Sequence, residues 1–269
     1  MDRCCDDGIR WRGQIDFSVS ESGTLKIYIG MDDTDTLDSD YGTGKVTRWF
    51  ERLLPEGCEC SGVVRQQLLV SDEIPYTSHN SAACMIVDVS EDLSTNGLMN
   101  KISELAVDHL KRHAADGSDP GLCIASESDA ALVDLLEFGR LCTHRVCTQK
   151  DALRAVNGSF LAGLGGTNDG LIGAAAAVGL TASGWAGRYI EYGDLRNFPL
   201  TVIVSDLADR QIQVISTDRD ARIPGPNDQV ITNGWVRPQL LGHMPVLFVT
   251  PTEDGEWAAI HTKRNKTKN

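Results

Sequence analysis

A short apolar strand that runs directly into a row of carboxylates is the feature that most restricts how this chain folds. Leu25 to Gly30 alternates like a β-strand and leads at once into Asp32-Asp33-Thr34-Asp35. A loop with two glycines, Gly42-Thr43-Gly44-Lys45, follows, and the pattern from Val46 to Leu54 predicts a helix that ends before Pro55. This order predicts an α/β protein, of the α+β type, with charged side chains where a strand ends.

The acidic loop has the residue types that bind a hard cation. Carboxylates held at the end of a strand suit Mg²⁺, which in turn neutralises phosphate oxygens. Asp33 and Asp35 share a strand parity, so Asp32 is expected to face the other side unless the chain turns. The alternative is an acidic surface loop that Asp38 and Asp40 simply extend.

The glycine loop is not a P-loop. That motif needs Gly at position 39 and Ser or Thr at position 46, where this chain has Ser39 and Val46. A glycine loop that opens a helix still presents free backbone N–H groups, which favour an anion. Lys45 either adds a phosphate contact or is an ordinary solvent-facing lysine.

Two later segments are also candidates for ligand contacts. Residues 165–170, Gly-Gly-Thr-Asn-Asp-Gly, fail the dinucleotide fingerprint because Asn168 stands where it needs glycine, yet they precede an apolar helix around Ala174 to Ala177. They form either a phosphate-holding turn or a tight turn capped by Asn168 or Asp169. The polar loop 75–81 is either a substrate contact or plain surface.

The rest of the chain predicts a leader over residues 1–24, alternating strands and helices over 25–195, strands over 196–262 and a basic tail over 263–269. The net charge of −13 argues against non-specific binding of nucleic acid. No apolar run is long enough for a membrane span and the N-terminus lacks an apolar signal core, so we expect a cytoplasmic protein without membrane contact. The eight cysteines lack paired CxxC spacing and are expected to be free or buried thiols, with a zinc site as the alternative.

Five segments in order point to a family. They are Ile29-Gly30-Met31-Asp32-Asp33-Thr34-Asp35, Gly42-Thr43-Gly44-Lys45, Ile74-Pro75-Tyr76-Thr77-Ser78-His79-Asn80-Ser81, Glu137-Phe138-Gly139-Arg140 and Gly165-Gly166-Thr167-Asn168-Asp169-Gly170-Leu171-Ile172-Gly173-Ala174. This set, roughly within residues 25–195, resembles the archaeal tRNA-isoleucine 2-agmatinylcytidine synthetase family and its short, mostly bacterial relatives, here without a recognisable zinc ribbon.

The resemblance implies an ATP-binding, kinase-like region with adjoining ferredoxin-like elements over residues 25–195, and ATP and Mg²⁺ as cofactors. Asp32, Asp33 and Asp35 would hold magnesium and the ATP phosphates, and Thr43, or as the second choice Thr47, would take up phosphate. The implied nucleotide contacts are Gly42, Gly44, Lys45, Gly165, Gly166, Thr167, Asn168, Asp169 and Gly170. The implied substrate contacts are Tyr76, Thr77, His79 and Asn80.

The implied reaction is ATP-dependent activation of a carbonyl oxygen, in the family that of the tRNA wobble cytidine, followed by displacement of the phosphate by an amine such as agmatine. The alternatives are the same chemistry on a small-molecule acceptor, or a nucleotide-binding module without catalysis. A tRNA substrate needs a basic groove, for which the sequence offers Arg48, Arg52, Lys111, Arg112 and the C-terminal tail. Acceptor and oligomeric state stay open, and no OB-fold is recognised in residues 196–262.

Overall fold

The strand that precedes the acidic loop is central to a mixed sheet in the computed structural model, which describes residues 24–74, 80–90 and 95–260. The first elements are β1 (Thr24–Asp32), α1 (Thr43–Trp49), β2 (Cys58–Gln67), β3 (Ser81–Ser90), α2 (Thr95–His113), β4 (Gly121–Ser126), α3 (Leu132–Cys142), α4 (Gln149–Val156), β5 (Phe160–Gly163), α5 (Gly170–Ala182) and β6 (Arg188–Glu191). The later ones are β7 (Thr201–Ile203), α6 (Val204–Asp209), β8 (Gln213–Ser216), β9 (Gln229–Ile231), β10 (Gln239–Leu241), β11 (Met244–Pro251) and β12 (Trp257–Ala259). The α+β class predicted from the sequence is confirmed.

The strands of the described residues join in the order β5-β4-β1-β3-β2-β6-β10-β11-β12-β9-β7, with β8 beside β11. β1 is antiparallel to both of its neighbours, β3 and β4. The later strands continue the same sheet, because Gln239 of β10 pairs with Arg188 of β6. The division at residue 195 expected from the sequence stays a prediction.

The alternation of β1 separates two hydrophobic cores. Ile27, Ile29 and Met31 pack on one face against α1 and α2, where Phe50 and Leu110 are fully buried. Tyr28 points to the other face, where α3, α4 and α5 pack. Because both faces of β1 are buried, its last residue is held firmly in position, and the acidic loop starts from a rigid support.

Helix α5 lies unusually close to the sheet because glycines face it. A Cβ on Gly30 of β1 would come within 2.2 Å of the carbonyl oxygen of Ala174, and one on Gly121 of β4 within 2.1 Å of Gly170. The apolar helix expected around Ala174 to Ala177 is α5, and nearly every one of its residues is buried. The backbone of α5 is thereby brought against the end of β1.

Several element bounds differ from the sequence expectation. The helix expected from Val46 to Leu54 begins at Thr43, and its last turn over Phe50–Leu53 is a 3-10 helix. β2 contains a bulge between Cys60 and Gly62, where the register of its pairing with β3 shifts, and the sequence pattern did not predict it. Thr24, which the sequence assigned to the leader over residues 1–24, is the first residue of β1, while residues 1–23 and the basic tail over 263–269 lie outside the described residues. No helix among the described residues is long and apolar enough to cross a membrane.

Candidate active site

The acidic loop turns directly after β1. Asp32 is the last residue of the strand, and Asp33 has a left-handed backbone with φ 51°, which is uncommon for a residue other than glycine. Because the chain turns there, Asp32, Asp33 and Asp35 all line one cavity of about 520 Å³, the acidic cavity, together with Asp169. The strand parity that set Asp32 apart in the sequence therefore does not hold beyond the end of β1.

Burial and neighbouring negative charges disfavour the ionised forms of Asp32 and Asp33. Burial raises the pKa of Asp32 to about 8, and the nearby charge of Asp33 adds to the rise. Burial also raises the pKa of Asp33 to about 6, with further contributions from the charges of Asp119, Asp35 and Asp169. A cation bound among them would favour their ionised forms, since opposite charge lowers a carboxyl pKa.

Helix α5 leaves the space that the Asp32 carboxylate fills. A Cβ on Gly173 would lie 1.6 Å from Asp32 Oδ2, so only glycine fits at that position with the carboxylate where it is. Gly170 and Gly173 both line the acidic cavity. The sequence singled out the glycine turn but gave no reason for Gly173; the close approach of a carboxylate is that reason.

Thr43 is hydrogen-bonded to the acidic loop. Its Oγ1 donates to Asp35 Oδ1 at 3.1 Å, and its backbone N–H donates to the same oxygen at 3.1 Å. The Thr43 hydroxyl oxygen accepts from the backbone N–H of Thr34 at 3.3 Å and from the Thr34 hydroxyl at 3.2 Å. Asp35 thus caps helix α1 and holds the hydroxyl of its first residue next to a carboxylate.

Thr47, the second choice for a phosphate-accepting threonine, has a different environment. It is fully buried, and its hydroxyl donates to the carbonyl oxygen of Thr43 at 2.9 Å. Thr43 is 6% exposed and lines the acidic cavity, whereas Thr47 is not among the residues that line it. The geometry therefore favours Thr43 over Thr47.

The glycine loop faces a different space. Gly42, Gly44 and Lys45 line a second cavity of about 520 Å³, and Thr43 lines both cavities. The Lys45 ammonium lies over the rings of Tyr41 and Trp49, 5.6 Å and 5.2 Å from their centroids. Lys45 is thus positioned by cation–π contacts, at the second cavity rather than among the aspartates.

The turn over residues 165–170 is organised by a carboxylate that the sequence analysis missed. Asp119 accepts backbone N–H bonds from Thr167, Asn168 and Asp169 at 2.7 to 3.0 Å, and the Thr167 hydroxyl bond at 2.5 Å. The N–H donors expected to hold a phosphate are therefore directed at Asp119. Two residues of the turn, Asp169 and Gly170, line the acidic cavity. The other four do not line it: Gly165, Gly166, Thr167 and Asn168.

The polar loop before β3 lies mostly outside the described residues, including Tyr76, Thr77 and His79. Asn80 is described, and it lines the acidic cavity. Its side-chain amide donates to the carbonyl oxygen of Leu69 at 2.6 Å, which ties the end of the loop to the chain after β2.

The second cavity, which we call the arginine cavity, was not predicted. The cationic residues that line it are Lys45, Arg48, Arg65, Arg196 and Arg237. Of the candidates for a basic groove that the structure describes, Arg48 alone lies here, while Arg52, Lys111 and Arg112 are exposed elsewhere. Arg65 and Arg237 are far apart in the chain and come together only through the sheet, so no local pattern marks them.

The donor set of the acidic cavity fits magnesium chemically. No group of three or more His, Cys, Asp or Glu side chains in the described parts of the chain is arranged around a common point for a metal ion. Magnesium at nucleotide sites usually takes only one or two carboxylates and completes its shell with phosphate oxygens and water. Asp33 and Asp35 meet that requirement.

The six described cysteines are all free thiols.

Comparison with known proteins finds no matching family model and no matching curated protein. Three solved structures are similar in part. The "tRNA fluorescent labeling enzyme" is 24% identical over 57% of this chain and 36% of its own, with a TM-score of 0.47. A complex of TiaS with an isoleucine tRNA and ATP is 22% identical over 58% of this chain and 36% of its own, with the same TM-score. A complex of TiaS with that tRNA, AMPCPP and agmatine is 20% identical over 70% and 44%, also at 0.47.

This chain spans between a third and a half of the length of those solved chains. Sequence identities of 20–24% indicate at most a similarity of fold between this chain and those structures. The α+β class rests on the helices and strands of this chain itself. Activity, substrates and partners are therefore proposals.

Proposed function

We propose that this protein is a Mg²⁺- and ATP-dependent phosphoryl-transfer enzyme in which Thr43 receives the phosphoryl group. The observation that carries the proposal is the hydrogen bond from Thr43 Oγ1 to Asp35 Oδ1, at the edge of a cavity lined by three further aspartates. A hydroxyl that donates to a carboxylate is an arrangement that activates a nucleophile, because the carboxylate accepts its proton as the new bond forms.

The dimensions and lining of the acidic cavity suit a nucleotide. Its volume of about 520 Å³ lies within the usual range of ligand pockets. One part of the lining is apolar, with Leu68, Val146 and Ile172, which suits a purine base. Arg145 and Lys150 also line the cavity and carry charges that attract phosphates.

Magnesium would be held by Asp33 and Asp35, with Asp32 and Asp169 adding negative charge close by. When bound, the ion neutralises charge on the phosphate oxygens. The protein's own part is to fix Thr43 and to take its proton on Asp35. In the step we propose, Thr43 Oγ1 bonds to the γ-phosphorus, the bond from that phosphorus to the bridging oxygen of ADP breaks, and Asp35 keeps the proton.

The phosphoryl group then passes to an acceptor: an acceptor oxygen bonds to the phosphorus, the bond from the phosphorus to Thr43 Oγ1 breaks, and Asp35 returns the proton to that oxygen. The ordered motifs support a carbonyl oxygen as the acceptor atom and an amine as the group that finally displaces phosphate. A tRNA with agmatine is therefore the first pair to test, and a small-molecule acceptor is the second. The cation-lined cavity that Thr43 also lines favours an enzyme over a module that merely binds nucleotide, because it leaves space for a second substrate.

The test is incubation of the purified protein with Mg²⁺ and γ-labelled ATP, followed by intact-mass and peptide analysis. We expect label on Thr43 in the wild type and in Thr47→Val, and none in Thr43→Val. Thr47→Val is the matched control because it removes a neighbouring buried hydroxyl with the same change of shape. ATP binding without label or phosphate release, measured by calorimetry, would assign a non-catalytic module. Absence of ATP binding would reject the proposal altogether.

A further inference from the structure

Two arginines directly face each other where the sheet borders the arginine cavity. Arg65 of β2, which lines the cavity, and Arg188 of β6 are Cα partners in the antiparallel pairing of these strands. Like charges opposite each other on neighbouring strands destabilise a sheet, because their side chains lie side by side. This repulsion lies at the border of a cavity. An anion bound between the two guanidinium groups would therefore offset the repulsion and stabilise the fold.

More positive charge converges from other elements. Burial lowers the pKa of the Arg237 guanidinium, and the charges of Arg188, Arg65 and Arg196 lower it further. Arg48 is the one member of the cluster that forms an ion pair within the described part of the chain, with Glu191 at 3.3 Å. The local field is thus positive in a protein whose net charge is −13.

Contacts hold several of these side chains in place. Arg65 Nε donates to Ser81 Oγ at 2.9 Å, and the Arg237 guanidinium lies 5.4 Å from the centre of the Trp235 ring. Arg48 Nε is buried and has no hydrogen-bond partner among the described residues. Charged donors that are fixed before a ligand arrives lose little freedom on binding, so they favour tight binding of an anion.

We propose that the arginine cavity binds a phosphate group of the acceptor, a phosphate ester that approaches Thr43 from the side opposite to ATP. The assignment to the acceptor rests on the proposed function, whereas the anion site does not. Guanidinium groups match phosphate oxygens with paired hydrogen bonds, and several of them together favour a doubly charged phosphate over a single carboxylate. Asp35, Thr43 and Ser81 line both cavities, so an ester bound here would lie next to the threonine.

The first experiment is calorimetric titration with inorganic phosphate and pyrophosphate, without ATP or Mg²⁺, so that its outcome does not depend on labelling of Thr43. We expect Arg237→Gln and Arg65→Gln each to weaken binding by about tenfold or more, the loss of one charged hydrogen bond. Arg52→Gln, an exposed change outside the cavity, should leave the affinity unchanged. Equal affinity in all three variants, or no binding by the wild type, would overturn the proposal.

A second comparison separates this site from the ATP site. Arg237→Gln should lower the affinity for phosphate more than the affinity for Mg²⁺-ATP, and Asp33→Asn should do the reverse. If Arg237→Gln weakens both ligands equally, the cavity belongs to the ATP site and the proposal is wrong.

Thermal unfolding gives a readout that does not depend on a binding assay. Arg188→Gln removes one of two facing like charges, so its melting temperature without phosphate should rise above that of the wild type, while the stabilisation by phosphate should shrink. Arg196 is exposed, so Arg196→Gln carries little risk to folding and tests the same reduced stabilisation by phosphate. A wild-type melting temperature that phosphate does not raise would contradict the proposal.

Two probes distinguish the sources of the phosphate group. Uridine 5′-monophosphate represents a small ester, and a short oligouridylate represents a phosphodiester strand. Binding of the monophosphate as tight as that of the oligomer would assign a small ester. Tighter, steeply salt-dependent binding of the oligomer would assign a polynucleotide. Binding of neither would reject a phosphate-bearing acceptor.

Discussion

The acidic cavity and the arginine cavity have the same volume, about 520 Å³ each, and opposite charge. Asp35, Thr43 and Ser81, which come from three separate parts of the chain, line both, so the two cavities adjoin at these residues. The acidic cavity combines the aspartates that follow β1 with residues of the chain between β2 and β3, of residues 142–150 and of the start of α5. The arginine cavity is assembled from β2, the start of α1 and the loops after β6 and before β10.

The difference shows that the net charge of the whole protein does not predict the local charge of either cavity. A total of −13 favours neither phosphate nor nucleic acid as a ligand, yet five of the cationic side chains converge on one space. The two fields suit different groups, because the acidic cavity attracts cations and the arginine cavity attracts anions. In the reaction proposed above, Mg²⁺ would offset the negative charge of the nucleotide in the acidic cavity, and a second, phosphate-bearing molecule would be attracted to the arginine cavity.

The most sensitive point of the acidic cavity is Asp33. Asp33→Asn removes one of the carboxylates that we propose to hold magnesium, so we expect ATP turnover to fall by about a hundredfold or more. In the absence of Mg²⁺ the same change should stabilise the fold. The pKa of Asp33 is raised to about 6, so its ionisation costs stability as the pH rises from about 4 through 6. The measurements are steady-state ATPase assays and urea unfolding at pH 8.

Asp38→Asn is the matched control, because Asp38 is exposed in the same loop and does not line the acidic cavity. It should change neither turnover nor stability. Unchanged turnover in Asp33→Asn would reject the metal assignment, whatever happens to stability.

The turn beside the acidic cavity depends on Asp119. Asp119→Ala removes the acceptor of three backbone N–H bonds and one hydroxyl bond, so we expect a loss of about 2–3 kcal/mol in the free energy of unfolding. ATP affinity should also fall, because Asp169 and Gly170 are the part of that turn in the cavity. Urea unfolding and calorimetry measure the two effects. A stable variant with lowered ATP affinity would instead indicate that Asp119 contacts the ligand directly.

Local patterns in the sequence predicted much of the acidic cavity. The alternation of β1, the aspartates after it and the small-residue helix α5 are all features of short segments, and the structure brings them together. The sequence left the facing of Asp32 conditional on a turn of the chain, and the left-handed backbone of Asp33 is that turn. The hydrogen bond between Thr43 and Asp35 likewise follows from that turn and not from spacing.

The arginine cavity could not be predicted from this one sequence. Arg65 and Arg188 meet only because β6 pairs with β2. The order of strands in a mixed sheet cannot be predicted from the pattern of any short segment. Asp119 is a similar case: the chain offers an acidic residue just before β4, but nothing local tells which turn its carboxylate reaches. Contacts between distant segments depend on the completed fold.

A smaller change tests whether the backbone of α5 sets the position of the acidic cavity. Gly173→Ala would bring a methyl group 1.6 Å from Asp32 Oδ2, so the carboxylate or the helix must shift. We expect a loss of about 1–3 kcal/mol in stability, the usual cost of overpacking, and weaker ATP binding with phosphate binding retained. Gly97→Ala in α2 meets nothing within 4 Å and should stabilise slightly. Equal behaviour of the two variants in urea unfolding would contradict the close approach.

The smallest expected effect concerns the packing of α2 against α1, the helix that begins between the two cavities. His109 of α2 is buried, with its Nε2 2.9 Å from the carbonyl oxygen of Val46 in α1. Burial lowers its pKa, and the nearby charges of His113 and Arg112 lower it further, against the opposing effect of the Val46 carbonyl. The neutral ring is therefore the folded form. Its stabilising contribution is complete above the unfolded pKa of about 6.5 and is lost as the pH falls through the folded value.

Acidification from pH 7 to pH 5 should thus lower the free energy of unfolding, with a slope of at most about 1.4 kcal/mol per pH unit from this one group. His109→Gln keeps an N–H donor near Val46 and removes the titration, so its stability should depend less on pH in that range. Urea unfolding at several pH values measures the difference. Parallel curves for the two proteins would mean that His109 keeps an ordinary pKa. Any pH dependence in the stability of α1, which begins at the boundary between the two cavities, would then have to come from the aspartates of the acidic cavity.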